Sequence, residues 1–322
     1  GVICPGRLDP VSMKIVNDYL PLANVSGGIW QGYVESPFNT DEFLVKLDHQ
    51  LNDAHRLSGS YFFTKGESVT AAGTGNLPWA LYSFNWTQHN LNMSDTWAIS
   101  TDKINQLWFS YNRNYGGRLN LPETSLADLG SSAIIMGAPA LPQITVSGYF
   151  SLTNAIGGPT AGGDFYSIRD VFSWTKARHA IKMGGELSYN KTIQDVLLNN
   201  YGVFTFNNSV TKNALADFMI GVPSAVTQDA PVTALWNSWY GAAFIQDDFR
   251  LGQNLTLTLG LRWDVQTPGT DPQDRFTTYV PGQQSTARPD APAGQLFYGD
   301  PGIERGVIPV SWTHVSPRAG IV

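Results

Sequence analysis

The stretch that decides the fold runs from Asn254 to Asp264 and reads NLTLTLGLRWD. Every second position carries a large apolar side chain: Leu255, Leu257, Leu259, Leu261 and Trp263. Successive side chains of a β-strand point to opposite faces, so this stretch predicts a strand with one apolar and one polar face. In a soluble sandwich the apolar face would lie against a core. In a membrane barrel it would face lipid, and the polar face would line a lumen.

The same alternation recurs along the chain in pairs of segments that predict β-hairpins. The pairs are residues 41–51 with 56–64, 92–101 with 104–115, 166–176 with 180–190, and 238–250 with 254–264. A further strand begins within 310–322. The pattern therefore predicts about ten strands of roughly 9–13 residues, which is the length that crosses a bilayer at a tilt.

The connections between these segments alternate in length. Within each predicted hairpin the turn is short, whereas the links between hairpins are long. The long links cover about residues 66–90, 116–165, 191–236 and 265–311. Short turns on one side and long loops on the other are typical of an outer-membrane barrel. The links contain two predicted helices, at 9–20, with Asp9 as the N-cap, and at 213–220, ended by Gly221.

The composition narrows the class of protein. Charged residues make up 14% and aromatic residues 12% of the 322-residue chain, and a soluble globular chain typically has about 25% charged residues. The net charge of −6, without a basic block, argues against nucleic-acid binding. A single cysteine, Cys4, excludes an internal disulfide and a cysteine-based zinc site. No apolar run is long enough to predict a transmembrane helix.

Aromatic residues fall near the ends of the predicted strands, where amphipathic rings would meet lipid headgroups. They are Trp97, Tyr115, Trp174, Tyr189, Trp239, Tyr240 and Trp263.

The sequence predicts no catalytic residue, metal site or cofactor, because it lacks the nucleophile-elbow, zincin, P-loop and dinucleotide-binding motifs. The five histidines are scattered and are interpreted as turn or interfacial residues: His49, His55, His89, His179 and His314. The neighbouring Asp247 and Asp248 should point to opposite faces and so cannot act together. Asp248 should share the polar face with Gln246 and Arg250.

Two further motifs are interpreted as ordinary loops. The segment Asp271 to Asp274 offers oxygen ligands, but it lacks the regular spacing of a calcium loop. The glycine-rich stretches 26–32 and 157–165 lack the strand–loop–helix order of a phosphate site and are predicted to be flexible outer loops.

Several stretches together resemble one family of transporters. They are RLDPVSMKIVNDYLP at 7–21, EFLVKLDHQLNDAHRLSGSYFF at 42–63, ADFMIGVPSAV at 216–226, WYGAAFIQDDFRLGQNLTLTLGLRWD at 239–264 and PGIERGVIPVSWTHVSPRAGIV at 301–322. They are similar to the barrel of Oar-like TonB-dependent receptors in the bacterial outer membrane. The resemblance implies an all-β, antiparallel transmembrane β-barrel with long outer loops and short periplasmic turns.

Barrels of this family have about 22 strands, so residues 1–322 would form about half of one. No plug domain and no N-terminal regulatory-like domain are recognised in the sequence, so it reads as an internal fragment of a longer receptor. The resemblance implies three partners: outer-membrane lipid, a transported ligand of unknown identity, and the TonB system, reached through the plug. Ligand contacts are expected in loops 116–165 and 265–311, because loops on a rigid scaffold carry recognition.

An alternative interpretation remains open at this point. A secreted β-sandwich, either a hydrolase or a carbohydrate-binding protein, would also be rich in aromatics and alternating strands. The missing catalytic constellation argues against the hydrolase. The two interpretations differ in whether the apolar strand faces lie outward or are sealed between packed layers.

Overall fold

The computed structural model describes residues 2–71, 77, 79–121, 123–136, 139–154, 157–196 and 199–322. Its main feature is a nine-stranded antiparallel sheet. In spatial order the strands are β1 (Phe38–Gln50), β2 (His55–Ala71), β3 (Leu81–Ser100), β4 (Lys103–Leu121), β7 (Gly157–Lys176), β8 (His179–Val196), β11 (Val232–Arg250), β12 (Thr256–Gln266) and β15 (His314–Ile321).

All four predicted hairpins form, and the fifth segment pairs with the last of them. Most strands of the main sheet are longer than the predicted 9–13 residues, and β3 and β7 reach 20 residues; β1, β12 and β15 have 13, 11 and 8 residues. The longer strands extend into the segments that the sequence assigned to long links. For example, β3 starts at Leu81, although the sequence placed residues 66–90 in a link. In this part of β3, Tyr82, Phe84 and Trp86 alternate with polar residues at even positions, whereas the large apolar residues of the predicted strand 92–101 occupy odd positions. The period-two pattern therefore changes face within β3 and does not read as one continuous strand.

The apolar side chains of the main sheet form a band on its outward face. One row across the sheet contains Met93, Phe109, Ile168 and Leu187, which are neighbours by register. These residues are 38–54% exposed in water, so no second layer covers them. The band continues through Leu47, Ile245, Leu259, Leu261 and Val315, which are 49–71% exposed. The sealed core that a sandwich requires is therefore not present on this face.

The opposite, inward face of the main sheet is polar. Along β4 it carries Ser110, Asn112 and Asn114, and along β8 it carries Lys182 and Glu186. Such a face suits a water-filled or plugged lumen.

A second, smaller sheet lies among the long connections. It contains β5 (Gln143–Val146), β6 (Phe150–Leu152), β9 (Val203–Phe206) and β10 (Ala225–Thr227), in the order β10-β9-β5-β6. Strands β5 and β9 are parallel, and the other pairs are antiparallel. A two-stranded hairpin, β13 (Thr277–Tyr279) and β14 (Gln295–Phe297), forms in the last long connection.

Both predicted helices are present. Helix α1 spans Pro10–Tyr19, and the Asp9 carboxylate caps it by accepting a hydrogen bond from the Ser12 amide at 2.7 Å. Helix α2 spans Ala214–Met219, with Asn213 as its N-cap. A short 3-10 helix covers Pro5–Arg7. None of the helices in the described part of the chain is long and apolar enough to span a membrane.

Candidate ligand-binding surface

Segments from several long connections fold together into one body, which we call the cap. Helix α1 precedes β1, strands β5 and β6 lie between β4 and β7, and β9, β10 and α2 lie between β8 and β11. The strands of the main sheet all join the long connections at one end of the sheet and the short turns at the other end. The cap, which is built from the long connections, therefore lies at the end opposite the short turns. Its buried core contains Ile15, Trp79, Ala80, Leu126, Leu129, Leu141, Ile144, Val146, Leu152, Phe206, Ala214 and Phe218.

Phe218 of α2 lies at the centre of the cap and is 1% exposed. Its ring meets Phe150 and Phe206 edge to face, with centroid separations of 5.4 and 5.3 Å. Such pairs contribute about 0.5–1.5 kcal/mol beyond the buried area. Since Phe150 and Phe206 belong to different connections, Phe218 holds the two connections together.

A cavity of about 250 Å³ lies in the cap between α1 and the small sheet. Its wall is mainly apolar, including Ile144, Phe204 and Phe206, and its polar groups come from Asp9, Ser12 and Ser131. Apolar walls with a few convergent polar groups are typical of small-molecule sites.

Gly221 closes this cavity on one side. It has a φ of +69° after the end of α2, and a Cβ there would lie 2.7 Å from Cγ of Asp9. A side chain at position 221 would therefore push α1 away from α2.

Asp217 anchors the connection that enters α2. It is 1% exposed and accepts hydrogen bonds from the Thr211 hydroxyl and amide at 2.5 and 2.7 Å. The Thr211 hydroxyl, more than any other group, lowers the pKa of this carboxyl, against the opposing effect of burial.

A second polar anchor organises the β13–β14 connection. Asp300 is 4% exposed and accepts hydrogen bonds from the amides of Thr286, Ala287 and Phe297 and from the Ser285 hydroxyl. Although burial raises its pKa, these donors outweigh burial and lower the pKa well below its usual value. The connection 265–311, predicted as a long loop, therefore has a fixed internal geometry.

The carboxylates of the Asp271 to Asp274 segment are used by arginines. Asp271 accepts from Arg275 at 2.5 Å, and Asp274 accepts from Arg305 at 2.5 Å. Within the described residues no group of three potential metal ligands converges, here or elsewhere.

Three arginines converge on the inward face of the main sheet, which the sequence did not predict. Arg169 of β7, Arg262 of β12 and Arg318 of β15 line a recess of about 260 Å³ together with Phe244 and Gln246. Arg262 is bonded to Asp264 at 2.9 Å. Each arginine occupies an inward position in its own strand, but only the register shows that they meet. The recess could bind an anionic group.

Three histidines, His49, His55 and His179, lie beside short turns, whereas His89 lies within β3 and His314 opens β15. His55 and His179 form a repeated arrangement on the outward face. The His55 ring contacts the Asp95 carboxylate at 2.8 Å and stacks on Trp97. The His179 ring contacts Asp247 at 2.5 Å and stacks on Phe249.

Asn105 and Asp170 make a third pair of this kind, with a 2.9 Å hydrogen bond between β4 and β7. These pairs join one predicted hairpin to the next. The repeat was invisible in the sequence because the partners are 40 to 68 residues apart.

The two neighbouring aspartates behave as predicted. Asp247 faces outward toward His179, whereas Asp248 faces inward and accepts from Thr258 at 2.6 Å and from Gln246 at 3.3 Å. They cannot act on one substrate.

The glycine-rich stretch 157–165 was wrongly predicted as a flexible loop. It begins strand β7. Gly162 has a φ of +152°, and a Cβ there would lie 1.9 Å from the carbonyl oxygen of Asn114, so glycine permits the close approach of β4 and β7. In the other stretch, 26–32, residues Val25 and Ile29 form an isolated bridge around a turn.

We compared the chain with known protein families, curated sequences and solved structures. A family model described as "Outer membrane beta barrel domain" matches residues 1–322. No curated protein sequence matches the chain. Among solved structures, the chain is similar to the closed form of the ferric-catecholate import receptor Fiu from E. coli, with a TM-score of 0.45 and 12% identity. The similarity covers 89% of this chain and 40% of the Fiu chain.

The family model confirms the predicted β-barrel fold and the predicted location in the bacterial outer membrane. The long antiparallel strands with an uncovered apolar face agree with both predictions. The chain belongs to the outer-membrane β-barrel domain family.

Proposed function

We propose that this chain is the partial barrel of a TonB-dependent, Oar-like receptor that binds a ligand at the cell surface and imports it. Two observations support the proposal. The sequence segments that resemble this family lie in β1, β2, β11, β12, β15 and both helices. The cap gathers several outer connections around one core, whereas a simple pore needs no such body. The cap is the observation that carries the proposal.

In this proposal the ligand first meets the cap and the β13–β14 connection. Both have fixed internal contacts, so they can hold recognition groups without first becoming ordered. The parent protein would supply the plug, and energy delivered through TonB would shift it. The polar inward face of the main sheet would then line the route of the ligand.

We infer that the chain serves transport and not catalysis. The neighbouring aspartates point to opposite faces, and the buried Asp217 and Asp300 are both engaged by backbone amides within loops. These carboxylates therefore stabilise local structure.

The test compares the host strain with two deletion strains, one lacking the complete gene and one lacking TonB. All three are grown in the same medium, and the compounds that disappear from it are measured by mass spectrometry. Import through this receptor predicts at least one compound that the host removes and that both deletion strains leave behind. A structural or adhesive role predicts that the gene deletion changes no compound, and that result would refute import.

Variants in the cap then locate recognition. Gly221→Leu should displace α1 and fill the cavity behind it, so uptake of the identified compound should fall. Gly6→Leu is the matched control, since a Cβ at Gly6 meets no atom within 4 Å. Equal uptake by the two variants would exclude the cap cavity as the recognition site.

A further inference from the structure

Two lysines flank one tryptophan on the outward face of the main sheet. The ammonium of Lys103 lies 5.7 Å from the ring centroid of Trp174, and that of Lys176 lies 5.1 Å from it. Lys103 opens β4 and is paired in register with Trp174 near the end of β7. All three residues therefore sit beside a short turn, at the end of the sheet away from the cap.

The indole of Trp174 is held in place by the adjoining turn. Its Nε1 donates to Asp102 at 3.1 Å, and the other oxygen of that carboxylate accepts from the Ser100 hydroxyl at 2.7 Å. The carbonyl oxygen of Asp102 also accepts from the Thr175 amide at 2.8 Å. The ring is thus a fixed wall, and the two ammonium groups approach a rigid surface.

In the described part of the chain, neither Lys103 nor Lys176 has a carboxylate within ion-pair distance, whereas Lys46 pairs with Asp48. Two like charges beside one ring repel each other. The Asp102 carboxylate on the indole Nε1 attracts Lys103 without reaching ion-pair distance, so one positive charge remains in excess, and a bridging phosphate would neutralise it. Among the described tryptophans, only Trp174 has lysine ammonium groups at its ring. The arrangement is therefore specific to this junction of β4, β7 and β8.

The surface next to this cluster faces outward and is mainly apolar; it also contains Asp170, whose carboxylate accepts a hydrogen bond from Asn105. Moving away from the turn, β7 presents Phe172 and Ile168, and β4 presents Leu107 and Phe109. Ile168, Leu107 and Phe109 are 38–46% exposed. A molecule with an anionic head at the lysines and an acyl chain over these side chains would match both surfaces.

We propose that Lys103, Trp174 and Lys176 form a binding site for the phosphate of an anionic phospholipid in the periplasmic leaflet. The short turns face the periplasm in this family of barrels, so the leaflet follows from the position of the cluster. The two ammonium groups bind the phosphate oxygens, the indole packs at the headgroup level, and the acyl chains lie along Phe172 and Ile168. The site does not depend on the transported ligand.

The test uses the full chain in vesicles of phosphatidylethanolamine to which phosphatidylglycerol with brominated acyl chains is added. Bromine quenches nearby tryptophans, and the difference between the native chain and Trp174→Phe isolates the signal of Trp174. Half-maximal quenching should need less brominated phosphatidylglycerol than brominated phosphatidylethanolamine. Each lysine should contribute about fivefold to this preference, because one lysine near an anionic surface is worth about 1 kcal/mol.

The double variant Lys103→Gln and Lys176→Gln should lose the preference, and double replacement by arginine should retain it. Lys182→Gln, on the inward face, is the matched control and should leave the preference unchanged. Three results would overturn the proposal. The two lipids could quench Trp174 equally, the glutamine double variant could keep the preference for phosphatidylglycerol, or Lys182→Gln could lose that preference to the same extent. Stronger competition by added lipid A than by phosphatidylglycerol would also overturn it, since it would place the cluster in the other leaflet.

Discussion

Leu187 offers a sharp test of what the outward face contacts. It lies in the middle of the apolar row and is 49% exposed, with Ile168 and Gly241 as its neighbours in register. Replacement by arginine would be nearly neutral if this face met water, because surface substitutions usually change the free energy of unfolding by about 0.5 kcal/mol or less. Loss of cross-strand contacts adds about 0.2–1 kcal/mol.

In a bilayer the cost is larger. An arginine on the lipid face near the midplane destabilises a barrel by about 2–4 kcal/mol. That range corresponds to a roughly 30-fold to 800-fold shift in the unfolding equilibrium, since 1.4 kcal/mol is a factor of about ten. Ser188→Arg is the matched control: Ser188 faces inward and donates to Glu186 at 3.3 Å, so an arginine there keeps a carboxylate partner.

The assay is a denaturant titration of the full chain in phospholipid vesicles, followed by tryptophan fluorescence. Leu187→Arg should unfold at lower denaturant than Ser188→Arg, by an amount equal to about 2–4 kcal/mol. If the two variants differ by less than about 1.5 kcal/mol, the loss is no more than a water-facing substitution with its cross-strand contacts would cause, and Leu187 does not face lipid.

Three other predictions concern the connections and the sheet. Phe218→Ala should destabilise the cap by about 3–5 kcal/mol, which hydrogen exchange of the cap amides measures; unchanged exchange would contradict a shared core. Gly162→Ala should disrupt the pairing of β4 with β7, because its Cβ would meet the Asn114 carbonyl; a chain that keeps its native denaturation midpoint would refute this.

Asp300→Asn should speed exchange of the amides that it binds, and the exposed Asp290→Asn should not. The pKa of Asp300 is lower in the folded state than in the unfolded state. Its contribution to the free energy of unfolding is therefore fully present above the unfolded-state pKa of about 3.9 and is lost only at lower pH. Fast exchange of these amides at pH 5 in the native chain would contradict that window.

The hairpins could be predicted from sequence because each is local. In β12 the alternation of leucines with polar residues sets the strand and its faces, and a short turn returns the chain to the adjacent strand. The ends of the strands were harder to predict from the sequence than their centres. In the first half of β3 the aromatic residues Tyr82, Phe84 and Trp86 lie on the face opposite to Met93 and Trp97, so no single apolar face marks the whole strand.

The cap and the charged clusters depend on non-local contacts. Strands β5 and β9 pair in parallel although Gln143 and Val203 are far apart in sequence, and nothing in either short segment specifies the other. The same holds for Arg169, Arg262 and Arg318, which meet only through the register of separate strands. The helix ends were predictable, because the capping side chains of Asp9 and Asn213 act within three residues.

The most direct measurement of the central claim is a nitroxide scan along residues 181–190 of β8 in vesicles. Collisions of each nitroxide with oxygen, which concentrates in the hydrocarbon, are measured by electron paramagnetic resonance and compared with collisions with a water-soluble nickel complex. The account predicts strict alternation, with high oxygen access at the odd-numbered, outward positions and lower access at the even-numbered ones. Equal oxygen access at both sets, or high nickel access at position 187, would contradict a lipid-facing apolar band.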